Sequence, residues 1–193
     1  MSRQAKISRK TYETDISLSL NLDGQGLYDI KTGINFFDHM LEQLAKHSGM
    51  DLHINAQGDI EIDNHHTVED VGICLGLAFQ EAIGECRGIR RFGSTFMPMD
   101  ETLTMIALDI NGRPNAVMNM TFPSEKVGAF ETECLREFLV AFANNAKITL
   151  HVDVRYGINT HHIIESIFKG IALCIKDGIK IVDSKVPSTK GRI

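Results

Sequence analysis

Alternation of apolar and polar residues marks several strands along this chain. The alternation runs over 14–20 and over 102–110, and shorter alternating segments lie at 51–54 and 149–152. Alternation with a period of two predicts strands with one buried face. The Asn111-Gly112 pair that follows the second long strand predicts a hairpin turn.

Apolar residues at helical spacing flank the two shorter strands. They predict one helix upstream of each, over 36–46 and 135–143, and one downstream of each, from about residues 65 and 161. The chain is therefore expected to build the same unit twice, as an α/β protein of the α+β type.

A polar motif repeats at the start of the two downstream helices. His65-His66-Thr67-Val68-Glu69 recurs as His161-His162-Ile163-Ile164-Glu165, 96 residues later in a chain of 193. Such spacing indicates an internal duplication. We expect one domain over 1–193 made of two repeats, about 1–95 and 96–193.

The repeated motif also predicts a metal centre. Residues i and i+4 share a helix face, so His65 pairs with Glu69 and His161 pairs with Glu165. His66 and His162 point elsewhere, and each would complete the other repeat's site if the repeats face each other. Imidazole with carboxylate suits Mn²⁺, Fe²⁺ or Zn²⁺. The pattern leaves open two separate sites or one bridged pair.

The upstream helices offer one further ligand each. His39 and Glu137 stand at equivalent positions, 14 residues before His53 and His151. His53 and His151 themselves lie within predicted strands, where a structural role is the simpler interpretation.

Composition narrows the class of protein. The net charge of −5 argues against a nucleic-acid binder. The basic N-terminus precedes no apolar stretch, and charges interrupt the apolar run over 163–175, so neither a signal peptide nor a membrane span is expected. Four scattered cysteines predict reduced thiols in a cytoplasmic protein.

Further motifs accompany the duplicated one, and together they resemble the imidazoleglycerol-phosphate dehydratase family. They are Phe36-Phe37-Asp38-His39-Met40-Leu41, His47-Ser48-Gly49, Asp100-Glu101-Thr102-Leu103, Asn111-Gly112-Arg113-Pro114 and Pro187-Ser188-Thr189-Lys190-Gly191. The resemblance spans 10 to about 191 and implies a monofunctional lyase of histidine biosynthesis. The implied reaction converts D-erythro-imidazole glycerol phosphate to imidazole acetol phosphate and water, through a metal-bound imidazolate.

The resemblance assigns roles to individual residues and implies two Mn²⁺ ions per active site. One ligand set is His39, His66, His161 and Glu165. The other is His65, Glu69 and His162 with Glu137, which stands where plant relatives carry a histidine. Glu13 matches the catalytic glutamate, which also contacts substrate. The remaining implied substrate contacts are His47, Arg91, Arg113, Lys169, Ser188, Thr189 and Lys190.

The resemblance also implies an architecture and an assembly. Each half-domain is expected to be a mostly four-stranded sheet with two helices, and the helices pack between the two sheets. The implied assembly is a homo-oligomer of 24 subunits with active sites at subunit interfaces.

Two other functions fit part of the pattern. A dinuclear metallohydrolase of phosphate esters would also use two metals and arginines, although an Asp-rich ligand set would be expected there. A non-catalytic protein whose metals only join subunits would need coordinatively closed sites.

Overall fold

The first half of the chain folds into one sheet with two helices. The computed structural model describes residues 3–193, and its first four strands pair in the order β1-β2-β4-β3. The elements are β1 (Gln4–Lys10), β2 (Thr14–Asn21), β3 (Tyr28–Lys31), α1 (Asn35–Ser48), β4 (Asp51–Gly58) and α2 (His65–Ile83).

The second half repeats this arrangement. Its sheet has the order β5-β6-β10-β7, and a small hairpin of β8 and β9 precedes its first helix. The elements are β5 (Phe92–Met99), β6 (Thr102–Ile110), β7 (Asn115–Asn119), β8 (Lys126–Val127), β9 (Phe130–Glu131), α3 (Cys134–Ala146), β10 (Ile148–Tyr156) and α4 (Thr160–Gly178).

Equal topology in the two sheets confirms the duplicated half-domains. In each sheet the last strand pairs antiparallel with the long strand and parallel with the short one. Because β5 begins at Phe92, the division between the repeats lies before that residue, and the predicted boundary at about 95 falls inside a strand.

The predicted hairpin at Asn111-Gly112 is wrong. Gly112 does adopt a left-handed turn, with φ +73, but β6 and β7 do not pair with each other, because β10 lies between them. The turn instead carries the chain across the position that β10 later fills. The residues of a turn carry no information about a strand such as β10, which follows much later in the sequence.

The helices form the layer between the two sheets. Inward positions of the strands, such as Ile16 and Ile106, are fully buried, and α2 packs on the first sheet while α4 packs on the second. Helices of opposite halves meet in pairs, α1 with α4 and α2 with α3. At Gly72 the approach of α3 is so close that a Cβ would lie 2.8 Å from the carbonyl oxygen of Phe138.

Across residues 3–193, none of the helices combines the length and apolarity that crossing a membrane requires. All four cysteines are buried free thiols. Burial raises the pKa of Cys174 to about 12, so this thiol stays protonated at neutral pH.

Candidate active site

The pairing of α1 with α4 brings together three side chains of one predicted metal-ligand set. Nε2 of His161 lies 2.9 Å from Oε2 of Glu165, one turn along α4. Nε2 of His39, from α1, lies 3.8 Å from the same oxygen. One donor atom from each of these three residues lies within 4.8 Å of the others. Residues from both halves of the chain therefore meet in one cluster, called the α1/α4 cluster below.

The start of α4 holds the α1/α4 cluster in place. Oδ1 of Asn159 caps the helix by accepting the backbone N–H groups of His161 and His162, at 2.9 and 3.4 Å. The ring of His161 also packs edge-on against Phe36, with 5.1 Å between ring centroids. The cluster is thus supported by a cap and by an aromatic contact.

Glu165 is the buried charge of this cluster, with 6% of its surface exposed. Burial alone would raise its pKa, but hydrogen bonds from Lys169, at 2.6 Å, and from His161 bring the pKa below its ordinary value. The carboxylate is therefore ionised at neutral pH and able to bind a cation.

His47 and Lys169, two of the expected substrate contacts, lie beside the same cluster. Nε2 of His47 is 3.2 Å from Oε1 of Gln43 in the last turns of α1. Burial lowers the pKa of His47, and the positive charge of Lys169 lowers it further. His47 is therefore neutral at pH 7 and can accept a hydrogen bond.

The equivalent residues of α2 and α3 form a looser group. Nε2 of His65 is 3.6 Å from Oε2 of Glu69, and both side chains are almost half exposed. Glu137 lies in the first turn of α3, the helix that packs against α2. Within residues 3–193 these donors do not converge as closely as those of the α1/α4 cluster.

His66 and His162 turn away from these groups, as the helical geometry predicted. Nδ1 of His66 lies 3.0 Å from Asp59, and its Nε2 lies 3.7 Å from Oε1 of Glu13. Nδ1 of His162 lies 2.7 Å from Oε2 of Glu101. The expected cross-pairing, His66 with the α4 ligands and His162 with the α2 ligands, is not formed within one described chain, so it stays a prediction.

Asp59 and Glu101 are site-region residues that the sequence reasoning did not assign. Each carboxylate engages the Nδ1 atom of a predicted ligand and so orients the ring with Nε2 outward. The hydrogen bond with His162 lowers the pKa of Glu101 to about 2, and backbone N–H groups of Asn159 and Ile158 add to the effect. In turn, Asp59 raises the pKa of His66 and Glu101 raises that of His162.

Glu13 lies in the tight turn between β1 and β2. Its backbone N–H donates to Oγ1 of Thr11 at 3.1 Å, while its side chain is about half exposed. The carboxylate is thus placed on a fixed backbone but remains accessible to a small molecule.

A cavity of 860 Å³ gathers most of the other expected substrate contacts. The predicted residues that line it are Arg91, Arg113, Ser188, Thr189 and Lys190. Arg192 also lines it and was not predicted. Cations with hydroxyl groups suit an anionic group such as phosphate. His53 and His151 contribute to neither region and are exposed on their strands.

Known proteins resemble the chain over almost its full length. The family description "Imidazoleglycerol-phosphate dehydratase" matches residues 32–175. Imidazoleglycerol-phosphate dehydratases from Cereibacter sphaeroides and Oceanobacillus iheyensis are each 52% identical over 99% of this chain and 100% of their own.

Solved structures agree with the fold. The imidazoleglycerol-phosphate dehydratase of Staphylococcus aureus is 38% identical, with a TM-score of 0.85 over 93% of this chain and 99% of that one. The Pyrococcus furiosus enzyme is 34% identical, with a TM-score of 0.84 over 97% and 100%. With these similarities, the duplicated fold and the clustered motifs, the chain belongs to the imidazoleglycerol-phosphate dehydratase family.

Proposed function

We propose that this chain is a hydro-lyase of histidine biosynthesis. It converts D-erythro-imidazole glycerol phosphate to imidazole acetol phosphate and water. The observation that carries the proposal is the α1/α4 cluster, where His39, His161 and Glu165 converge in a chain of the dehydratase family.

The donor set fits a divalent cation. Two imidazoles and a carboxylate, with one more imidazole from His66, make a mixed nitrogen and oxygen site that suits Mn²⁺. His65, Glu69 and His162 with Glu137 would hold the second ion. Bound Mn²⁺ would act as a Lewis acid on the imidazole ring of the substrate and thereby ease departure of the hydroxyl group.

Glu13 is the residue that moves a proton. Its carboxylate is accessible and lies 3.7 Å from His66, so it reaches a substrate that touches this histidine. Accepting the proton from the carbon next to the imidazole-bearing carbon is general-base work for a carboxylate, and a proton delivered to the departing hydroxyl group lets it leave as water.

The cation-lined cavity anchors the phosphate. Arg91, Arg113 and Lys190 supply positive charge, and Ser188 with Thr189 supplies hydroxyl donors. Binding energy at this remote group holds the reacting carbons in position for the proton transfer.

Turnover of imidazole glycerol phosphate before and after Mn²⁺ is returned to metal-stripped protein tests this proposal. We expect dehydration to depend on added metal. Hydrolysis of a generic phosphate ester without dehydration would favour a metallohydrolase instead. Metal binding without either activity would favour a purely structural metal.

We also propose a cellular location and an assembly for this enzyme. We place the enzyme in the cytoplasm as a homo-oligomer of 24 subunits, with active sites completed between copies. In support, His66 belongs to the same predicted ligand set as His161 and Glu165 but faces Asp59 and Glu13 in its own chain. A second copy would unite the set.

Gel filtration with and without a chelator tests the role of metal in the assembly. If ions join subunits, chelation should shift elution to smaller species. Unchanged elution would argue that each ion is held inside one subunit.

A further inference from the structure

Asp109, at the end of β6, binds the guanidinium of Arg91, which lines the cavity proposed to hold the phosphate. Nε of Arg91 donates to Oδ1 of Asp109 at 2.7 Å, and Nη2 donates to Oδ2 at 3.1 Å. The Asp109 side chain is 22% exposed and that of Arg91 16%. Arg91 lines the cavity, whereas Asp109 is not among the lining residues.

The pairing leaves hydrogen-bonding capacity on both terminal nitrogens of Arg91. Nη1 donates to the carbonyl oxygen of Pro187 at 2.9 Å, so three of the five N–H groups of the guanidinium are used. One N–H remains on each terminal nitrogen without a partner among residues 3–193. Two N–H donors on one guanidinium can bind two oxygens of a phosphate at once, as a fork.

The backbone at Arg91 adds to the constraint. Arg91 has φ +77, a left-handed conformation that is unfavourable for a residue with a Cβ. Hydrogen bonds hold it there, from its N–H to the carbonyl oxygen of Gly178 at 2.8 Å and from the N–H of Ile110 to its own carbonyl oxygen at 3.1 Å. Both the main chain and the side chain of Arg91 are therefore set before any ligand arrives.

Asn111 connects the same carboxylate to the second arginine of the cavity. Its Nδ2 donates to Oδ2 of Asp109 at 3.0 Å and to Oγ1 of Thr149 at 2.9 Å. Its Oδ1 accepts the backbone N–H of Arg113 at 2.8 Å. Asp109 thus lies at the centre of a network that reaches both arginines.

We propose that Asp109 is a positioning residue for phosphate recognition, acting through Arg91 directly and through Asn111 on Arg113. The inference rests on the proposed function, because the phosphate belongs to the substrate named there. The proposal predicts the opposite change in phosphate affinity from the one that charge repulsion alone predicts. A carboxylate near an anion site repels the anion, so its removal alone should tighten phosphate binding. Loss of the positioned fork should weaken it.

The sign of the effect in Asp109→Asn therefore tests the proposal. In Mn²⁺-loaded protein we expect the affinity for inorganic phosphate, measured by calorimetric titration, to fall about 10- to 100-fold, the range of a charge-assisted pair. KM for imidazole glycerol phosphate should rise in parallel, while kcat changes much less. Unchanged or tighter phosphate binding would overturn the proposal.

Asp153→Asn is the matched control. Asp153 lies on β10, the strand next to β6 in the same sheet, and away from the cavity lining. It accepts a hydrogen bond from Nη1 of Arg155 at 2.9 Å. Its removal should leave phosphate affinity and KM unchanged. An equal change in both variants would mean that the loss in Asp109→Asn is a general effect on the sheet, which contradicts positioning.

A double-mutant cycle shows whether Asp109 acts through Arg91. In an Arg91→Ala background, Asp109→Asn should cost little further phosphate affinity, because the fork is already absent. Full additivity would overturn the proposal. If Asp109→Asn does not fold, Asn111→Ala replaces it, with an expected weakening of about threefold, and unchanged phosphate affinity in that variant would be equally contradictory.

The phosphate titration separates this proposal from the proposed function. A wild-type protein that fails to dehydrate imidazole glycerol phosphate, yet loses phosphate affinity on Asp109→Asn, would refute the proposed reaction and support the positioning role. If the wild-type protein dehydrates this substrate and Asp109→Asn has an unchanged KM, the proposed reaction would be supported and the positioning role refuted.

Discussion

The two halves of this chain carry the same motif in two different environments. In α4, Glu165 is almost fully buried and contacts His161, His39 and Lys169. In α2, the equivalent Glu69 is almost half exposed and has His65 as its neighbour, at 3.6 Å. One sequence pattern thus produces a tight group of donors in one half and a loose group in the other.

A single position accounts for much of this difference. Four residues after the glutamate, α4 carries Lys169 and α2 carries Ile73. The ammonium of Lys169 compensates for burial of the carboxylate, whose desolvation would otherwise cost several kcal/mol of free energy. Without such a partner, Glu69 stays in solvent. The two repeats therefore share the predicted ligand residues, while the residues around them set the electrostatics.

The largest expected effect concerns the glutamates that precede β2 and β6. Glu13 is half exposed, whereas Glu101 is bound by His162 and by two backbone N–H groups. Because Glu13 is the more accessible of the two and is the proposed proton-transfer group, Glu13→Gln should lower kcat about 10²- to 10⁴-fold with metal content unchanged. Glu101→Gln should act mainly by lowering metal content.

Steady-state kinetics with elemental analysis of both proteins checks this pair. Near wild-type turnover by Glu13→Gln would remove Glu13 from the chemistry. A loss of kcat in Glu101→Gln at full metal content would show that the two halves do not divide these roles.

The next effect concerns the stability of the two clusters. Glu165→Gln leaves Lys169 buried opposite a neutral amide, so the metal-free protein should lose about 3 kcal/mol in free energy of unfolding. Glu69→Gln should lose less than about 1 kcal/mol, because this pair is exposed. Both substitutions should reduce metal content, since each removes a predicted ligand.

Urea denaturation in the presence of a chelator measures the stability difference, and elemental analysis measures the metal. Equal destabilisation would show that burial of Glu165 has no energetic consequence. Full metal content in Glu69→Gln would show that Glu69 is not a ligand.

The smallest effect concerns the first residue of β4 and its equivalent in β10. Asp51 accepts backbone N–H groups of Gln25 and Leu27, at 2.8 and 3.0 Å, whereas Thr149 occupies the equivalent place in the other half. Burial tends to raise the pKa of Asp51, but these hydrogen bonds, together with that from Asn21, lower it overall.

A depressed folded-state pKa stabilises the fold above the unfolded pKa of about 3.9, and the contribution disappears as pH falls through the folded value. Asp51→Asn should therefore cost about 1 kcal/mol at neutral pH, and the difference from wild type should narrow below about pH 4. Thermal denaturation of the metal-free protein against pH measures this. Thr149→Ala should show a loss that does not vary with pH, and a pH-dependent loss there would contradict the contrast.

Local patterns were enough to predict the repeating elements. The alternation over 102–110 coincides with β6, and the helices predicted over 36–46 and 135–143 lie within α1 and α3. These predictions succeed because a period of two or of 3.6 residues reports burial on one side of an element. The Asn111-Gly112 hairpin failed because strand partners are chosen by long-range pairing, which the turn residues do not encode.

In the candidate site, too, local geometry was predictable and long-range contacts were not. The i,i+4 geometry predicted that His161 pairs with Glu165 and that His162 points elsewhere, and the structure places them so. Nothing in the local sequence predicted that Glu101 would orient His162, or that Asp109 would hold Arg91. These partners are 61 and 18 residues apart, and only the pairing of strands and helices brings them together.

By itself, the sequence determined the duplication, the element types and the positions of side chains with the chemistry of metal or phosphate ligands, because these depend on residue type and short-range periodicity. The tertiary structure decided which of those residues meet. It buried Glu165 beside Lys169, left Glu69 in solvent and set the guanidinium of Arg91 against Asp109. Burial and distance control the strength of charge interactions. Both are properties of the packed molecule and cannot be read from the sequence alone.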